Sequence, residues 1–249
     1  MAFTKIQAHR GASAYRPENT IEAFSLAIEQ GADGIELDVH LTKDGQIVVA
    51  HDERLERVSD GFGFINDYTL EELKSLNFNK PFPNLPACTL PTLDEVYRLI
   101  KDTDATLNIE LKTTRLLYPE LPEMLIAKER EYSMGERVIY SSFNHYSLAE
   151  LKRINPSAKI GLLYEAGIID PWMYANYVEA YAIHPHYAVI DALPDTVTYC
   201  HKNGVAVNVW TVDDPKKMNY LFKCGVDAII TNKPDVAVEC REKYETSKS

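Results

Sequence analysis

The stretch IELDVHLTKDG at residues 35–45 sets Glu36, Asp38 and His40 at every second position among Ile35, Leu37, Val39 and Leu41. Successive side chains of a strand point to opposite faces, so three polar groups share one face and four aliphatic ones the other. A wet face of an antiparallel sheet carries the same alternation as a strand turned toward an enclosed site. The segments on either side decide between them.

Outward from this strand, β-rich runs alternate with helical patterns along the whole chain. The runs are KIQAH (5–9), GIELDVHL (34–41), TLNIELK (106–112), RVIYSSF (137–143), KIGLLYE (159–165), AYAIHPH (180–186), VAVNVWTV (205–212) and DAIITN (227–232). The stretches between them, such as TIEAFSLAIEQG and PKKMNYLFKCG, have apolar residues at helical spacing and end in glycine or asparagine. Eight alternations in 249 residues predict an α/β (β/α)₈ TIM barrel with parallel strands, one domain over 1–249. A doubly wound open sheet is the alternative, but HRGAS after the first strand has a single glycine and is no G-x-G-x-x-G. One segment breaks the rhythm. GQIVVAHDERL predicts a short extra strand, and residues 53–91 form an insertion after the second strand, rich in Gly, Asn, Pro and aromatics. That insertion either serves the barrel mouth or is an elaboration packed by its own Phe62, Phe64, Tyr68, Phe78 and Phe82.

Composition narrows the class. With 45% hydrophobic and 25% charged residues the chain is globular, and no apolar run approaches the ~18 residues of a spanning helix. The start, MAFTKIQAHRGAS, lacks an apolar signal core, so a cytoplasmic protein is expected. Cys88, Cys200, Cys224 and Cys240 form no C-x-x-C pair and are expected as free thiols. A net charge of -11 disfavours a nucleic-acid partner, so an anionic ligand must meet locally placed cations.

Polar residues gather where a parallel barrel places its chemistry, at the C-terminal ends of strands. These are His9 and Arg10, Glu36 and Asp38, His51 after the extra strand, Glu110 and Lys112, and Trp210. Three converging carboxylates, Glu36, Asp38 and Glu110, need a counter-ion or raised pKa values, and a hard divalent cation is the simplest answer. Ion pairs with Arg10, Lys43 or Lys112 are the structural alternative. His9 and His51 are the candidate acid–base pair, and Arg10 and Lys112 the candidate phosphate contacts. Trp210 is either a pocket wall or core packing. His40, His145, His184, His186 and His201 are assigned supporting, capping or surface roles. Asn19, three residues before Glu22, reads as the opening of a capping box for the first helix, with a reach of Glu18 and Asn19 into the site as the alternative.

Taken together, HRGAS…PENTIEAF, GADGIELDVHLTKDGQIVVAHDERLERV, INDYTLEELKSL, LPTLDEVYRLI, LNIELK, SSFN, VNVWTVDD and GVDAIITNKPD resemble the glycerophosphodiester phosphodiesterases of the cytoplasmic bacterial type, from residue 5 to about residue 235. The one departure is VSDGFG at 58–63, where the family often has a threonine pair. The resemblance implies a TIM barrel with a small insertion and hydrolysis of glycerophosphodiesters to sn-glycerol 3-phosphate and an alcohol, a reaction of glycerol and lipid metabolism. It also implies metal-binding acids at Glu36, Asp38 and Glu110, acid–base histidines at His9 and His51, and phosphate contacts at Arg10 and Lys112. Mg²⁺ or Ca²⁺, the alcohol released, attack by water or through a cyclic phosphate, and the oligomeric state stay open at this point. Two other readings are a lysophospholipase D-type enzyme, whose apolar mouth Phe62, Phe64, Phe82 and Trp172 would form without membrane insertion, and a catalytically silent phosphodiester-binding module.

Overall fold

The structure, a computed structural model, describes residues 3–247; Met1, Ala2, Lys248 and Ser249, and with them the outer bounds of the 1–249 span and the first two residues of the chain start, lie outside the described residues. Among the described residues nine strands form one sheet: β1 (Lys5–His9), β2 (Gly34–Leu41), β3 (Ile47–Val49), β4 (Thr106–Leu111), β5 (Val138–Ser142), β6 (Lys159–Tyr164), β7 (Ala182–Pro185), β8 (Ala206–Val209) and β9 (Ala228–Thr231). Eight of them run parallel in the order β1-β9-β8-β7-β6-β5-β4-β2, and β1 pairs with β2 to close the barrel. The helices are α1 (Ile21–Glu29), α2 (Leu70–Lys74), α3 (Leu93–Ile100), α4 (Leu121–Glu131), α5 (His145–Ile154), α6 (Pro171–Tyr177), α7 (Tyr187–Ala192), α8 (Asp195–Lys202), α9 (Pro215–Cys224) and α10 (Pro234–Thr246).

The alternation in β2 has its explanation in this closure. Ile35, Leu37, Val39 and Leu41 face outward into the main apolar cluster, together with Leu93, Val96 and Ile100 of α3 and Phe24 of α1. Glu36, Asp38 and His40 lie on the opposite, inner face, and all three are buried. The polar face is therefore an enclosed one.

β3 is antiparallel and pairs with Val39–Leu41, the overhang of β2 beyond the point where β1 stops at His9↔Glu36. It lies on the same side of β2 as β1, because β4 holds the other side through Val39↔Leu111. The chain leaving β3 is thereby returned to the barrel mouth, carrying His51 with it. The segment after it packs around its own small core of Leu55, Ile65, Leu73, Phe78, Cys88 and Leu90. Of the insertion's aromatics, Phe78 enters that core, whereas Phe62 and Phe64 are exposed and flank the Arg54 guanidinium.

Two local readings are corrected. Asn19 is not the cap of α1. Thr20 is, its hydroxyl accepting from the Ala23 N–H at 3.2 Å, while Asn19 takes a left-handed φ of 58° and turns its side chain toward the barrel. α7, a short helix within the sixth crossover, between β7 and β8, has no counterpart in the sequence reading; His186 caps it by accepting from the Ala188 N–H.

Candidate active site

One cavity opens at the C-terminal end of the barrel, lined by His9, Arg10, Glu36, His51, Glu110, Lys112 and Trp210, with Asn108, Ser141, Phe143, Leu163 and Ile230 completing it. Asp38 is wholly buried directly behind it. The eight residues singled out from the sequence are thus brought to one place. Phe62, Phe64, Phe82 and Trp172, the residues considered for an apolar mouth, do not line it; Trp172 stacks on Tyr199 instead, 5.1 Å between ring centres.

Each histidine is held by its Nδ1. His9 Nδ1 lies 2.7 Å from Asn232 Oδ1, and the Asn232 amide nitrogen is spent on Asp213 Oδ2 at 2.6 Å. An amide oxygen accepts, so Nδ1 carries the proton and Nε2 the lone pair. Burial, reinforced by the Arg10 charge, pushes the His9 pKa down to about 4, leaving a neutral ring at neutral pH. His51 Nδ1 donates to Asp52 Oδ1 at 2.6 Å, and this bond helps hold the Asp52 carboxyl below the usual carboxylate range. The His51 carbonyl accepts from His40 Nε2 at 3.2 Å, and His40 Nδ1 faces the Tyr118 hydroxyl at 3.3 Å. His40 thus anchors the backbone of His51, and its own burial lowers its pKa to about 4.

Arg10 occupies a left-handed turn, φ 56°, followed by Gly11 at φ 80°. A side chain on Gly11 would start 2.6 Å from the Ala23 backbone, so the HRG turn requires glycine there. The turn directs the Arg10 N–H onto Glu36 Oε2 at 3.0 Å and its guanidinium toward Glu18 at 3.0 Å and Asp38 at 3.4 Å. Lys112, one residue past β4, places Nζ 2.7 Å from Glu110 and 3.5 Å from Asp38.

Glu36, Asp38 and Glu110 each bring a carboxylate oxygen within 4.8 Å of the other two. At an effective dielectric of about 20, unit charges at that separation repel by roughly 3 kcal/mol per pair. Burial and the neighbouring Asp38 charge accordingly push Glu36 well above the carboxylate range and raise Glu110 as well. Burial would raise Asp38 too, but Lys112 and Arg10 outweigh it and hold this carboxyl low, assisted by the Asn19 amide at 2.9 Å. Asp38 Oδ1 is buried and accepts no hydrogen bond. An all-oxygen donor set with an orphaned carboxylate oxygen and two neighbours whose charge is suppressed fits a divalent cation.

The sequence profile of the glycerophosphoryl diester phosphodiesterase family matches residues 9–236. The chain belongs to this family. A glycerophosphodiester phosphodiesterase of Caldanaerobacter subterraneus subsp. tengcongensis is 49% identical over 241 residues, 96% of this chain and 98% of that one. Among solved structures, an Oleispira antarctica phosphodiesterase in complex with the product sn-glycerol-3-phosphate has a TM-score of 0.83 at 28% identity, covering 96% of this chain and 97% of that one. A putative glycerophosphoryl diester phosphodiesterase of Silicibacter pomeroyi shares the fold at a TM-score of 0.90, with 23% identity and 98% and 95% coverage. The enzyme is a phosphodiesterase built on a TIM barrel.

Several residues around the cavity have no role in the sequence reading. Asp52 is adjacent to His51 and Asn232 ends a predicted strand, and both positions are signals that the structure gives meaning. Phe143 meets Trp210 edge-to-face at 5.5 Å between ring centres and forms one wall of the mouth. Trp210 is fixed by its Nε1 donating to the His184 carbonyl at 2.7 Å. Asn19, whose reach into the site is the alternative to capping, contacts Asp38 across 19 residues, and Arg57 carries no sequence signal for its contact across 39.

Proposed function

We propose that the enzyme hydrolyses glycerophosphodiesters to sn-glycerol 3-phosphate and an alcohol, using His9 and His51 as acid–base pair, one divalent cation, Mg²⁺ or Ca²⁺, on Glu36, Asp38 and Glu110, and Arg10, Lys112 and Trp210 as substrate contacts. The observation that carries this reading is that two imidazoles share one cavity with the acid cluster, each with Nδ1 spent on a fixed acceptor. The product bound to the Oleispira antarctica relative supports the substrate class.

His9 is half-buried and neutral, and its Nε2 lone pair takes the proton from the nucleophile, either water or the adjacent glycerol hydroxyl. As the new P–O bond forms, the bond to the leaving alcohol breaks and His51 Nε2 gives that oxygen its proton, its Nδ1 held by Asp52; where the glycerol hydroxyl attacks, this first step yields a cyclic phosphate, which water then opens as His51 takes the water's proton and His9 returns its own to the departing glycerol oxygen. Arg10 and Lys112 face the negative charge on the non-bridging phosphoryl oxygens. Asn108 and Ser141, whose buried side-chain atoms lack partners on the cavity floor, receive the glycerol hydroxyls. A bound cation supplies Lewis-acid polarisation of a phosphoryl oxygen. General acid–base catalysis contributes about 10²–10⁴-fold, so charge stabilisation carries much of the ~8–23 kcal/mol an enzyme supplies.

The whole chain acts in this reading as one catalytic domain, with residues 53–91 as its insertion. Four free cysteines fit a reducing cytoplasm, and no helix among the described residues is long and apolar enough to cross a membrane. The test is release of glycerol 3-phosphate from glycerophosphocholine and glycerophosphoethanolamine with added Mg²⁺, with added Ca²⁺ and after chelation, beside a lysophospholipid. Metal-dependent release from the soluble diesters is expected. Turnover of the lysophospholipid alone, or of nothing, overturns the reading.

A further inference from the structure

We propose that Arg57, in the insertion, is a positioning residue for His51 and acts through Asp52. The proposal rests on the role given to His51 above. Arg57 does not line the cavity. Its planar guanidinium instead spans two carboxylates from separate segments. Nε donates to Asp52 Oδ2 at 2.5 Å, while Nη1 and Nη2 fork onto the two oxygens of Glu18, 2.7 Å each. The other oxygen of Asp52 receives the His51 Nδ1 proton at 2.6 Å. Each Asp52 oxygen therefore has one fixed donor, and the plane of the carboxylate, which sets the tilt of the imidazole, is determined from both sides.

Three features separate this arrangement from an ordinary surface ion pair, which contributes little. The guanidinium makes three hydrogen bonds in fork geometry, a pattern a lysine point charge cannot reproduce. Its anchor, Glu18, is itself largely enclosed, with 17% of its side chain exposed, and its Oε1 also accepts from Arg10 at 3.0 Å. And Asp52 faces the loss of its second donor, because among the described residues no other group pairs with its Oδ2. Without Arg57, the Asp52 carboxylate is free to turn, carrying His51 away from the leaving oxygen. The Arg10–Glu18 bond survives that loss, so substrate binding is expected to change little. The insertion is thereby more than an elaboration, since its first turn braces an acid–base group.

The experiment measures kcat and KM for glycerophosphoethanolamine, at saturating divalent cation, in wild type, Arg57→Ala, Arg57→Lys, Asp52→Asn and the Arg57→Ala/Asp52→Asn double variant. Each Arg57 variant is expected to lose about 10-fold or more in kcat with KM within about 3-fold, as for a group whose contribution appears only at the chemical step. The double variant should be no more than about 3-fold worse than Asp52→Asn, because two members of one linkage act as a unit. Added guanidinium should restore rate to Arg57→Ala and leave Asp52→Asn unchanged. Arg57→Lys keeps the stem and the charge, so it carries the test if the alanine variant fails to fold. Unchanged kcat in Arg57→Lys or Arg57→Ala, a loss confined to KM, or losses that multiply in the double variant would overturn the proposal. A wild type that releases no glycerol 3-phosphate overturns the proposed function and this assignment with it. Release by wild type with undiminished Arg57 variants overturns this assignment alone.

Discussion

Glu36 shows how the site sets function against stability within a single side chain. The residue is 4% exposed, and its carboxyl sits beside Asp38 and Glu110 and is pushed well above the carboxylate range by burial and those charges. Glu36→Gln keeps an oxygen to accept the Arg10 N–H, which lies 3.0 Å away, and has no proton to gain or lose. In chelated protein this variant should melt higher than wild type by an amount on the order of 1–3 kcal/mol, the cost wild type meets in holding a carboxyl that is ionised when unfolded in a buried site where its charge is suppressed. The same variant should lose the rise in melting temperature that added Mg²⁺ or Ca²⁺ brings to wild type, about 2.7 kcal/mol at a hundredfold excess over Kd. Thermal melts with and without chelator check both halves, and a Glu36→Gln protein that is less stable without metal and equally stabilised by it would refute the electrostatic account. His9 and His51 call for a different measurement. His9→Ala and His51→Ala should each cost about 10²–10⁴-fold in kcat with little change in far-UV circular dichroism, since each ring makes one side-chain hydrogen bond. Near-wild-type turnover in either variant removes that histidine from the mechanism.

The strands meet inside the barrel with tolerances that a sequence pattern does not reveal. Gly161 of β6 faces His184 of β7, and a Cβ on Gly161 would lie 2.3 Å from His184 Nε2. His184 is fully buried, and Nε2 accepts from the Asn208 amide at 2.9 Å, so the ring has nowhere to retreat. Gly161→Ala should therefore destabilise by about 1–3 kcal/mol, read as a lower unfolding midpoint, and a second change of His184→Ala should recover part of it. A Gly161→Ala protein as stable as wild type would show that the ring moves freely. This contact illustrates where sequence reading ends. The eight parallel strands and β3 are legible because their burial alternates or runs unbroken between turn residues, and His9, Glu36, Asp38, Glu110 and Lys112 are legible because polar groups at strand ends violate that pattern. Asn19 is misread because Asn and Thr both cap helices well, and only the pull of Asp38, far along the chain, decides that Thr20 does the capping. Arg57 is invisible for the same reason: its partners Glu18 and Asp52 come from separate segments, and nothing periodic in a loop announces them.

The barrel as a whole stores neutral histidines in its interior, and this shapes its response to acid. Burial lowers the pKa of His9 and of His40 to about 4 and of His184 to about 3, each from 6.5. In the unfolded chain these rings take up protons below pH 6.5, whereas in the folded protein they do so only near 3 to 4. Between those limits the unfolded state binds more protons, so stability rises with pH through this window, is fully present above 6.5 and falls as the pH drops. Glu36 and Glu110 act in the opposite sense, because their raised pKa values let the folded state take up protons first as the pH falls, relieving repulsion within the acid cluster. The opposing terms make the slope of wild type alone ambiguous, and a single substitution isolates one of them. His184→Gln removes a ring perturbed by its burial, which lies away from the acid cluster on β7, and leaves the carboxylates untouched. Between pH 7 and pH 5 in chelator, wild type should lose on the order of 2 kcal/mol more stability than His184→Gln, one ring across about 1.5 pH units below its unfolded pKa. Denaturant unfolding at the two pH values measures the difference. Parallel pH dependences in the two proteins would mean that His184 is protonated in the fold, and that the barrel interior is wetter or more accommodating of charge than its packing implies.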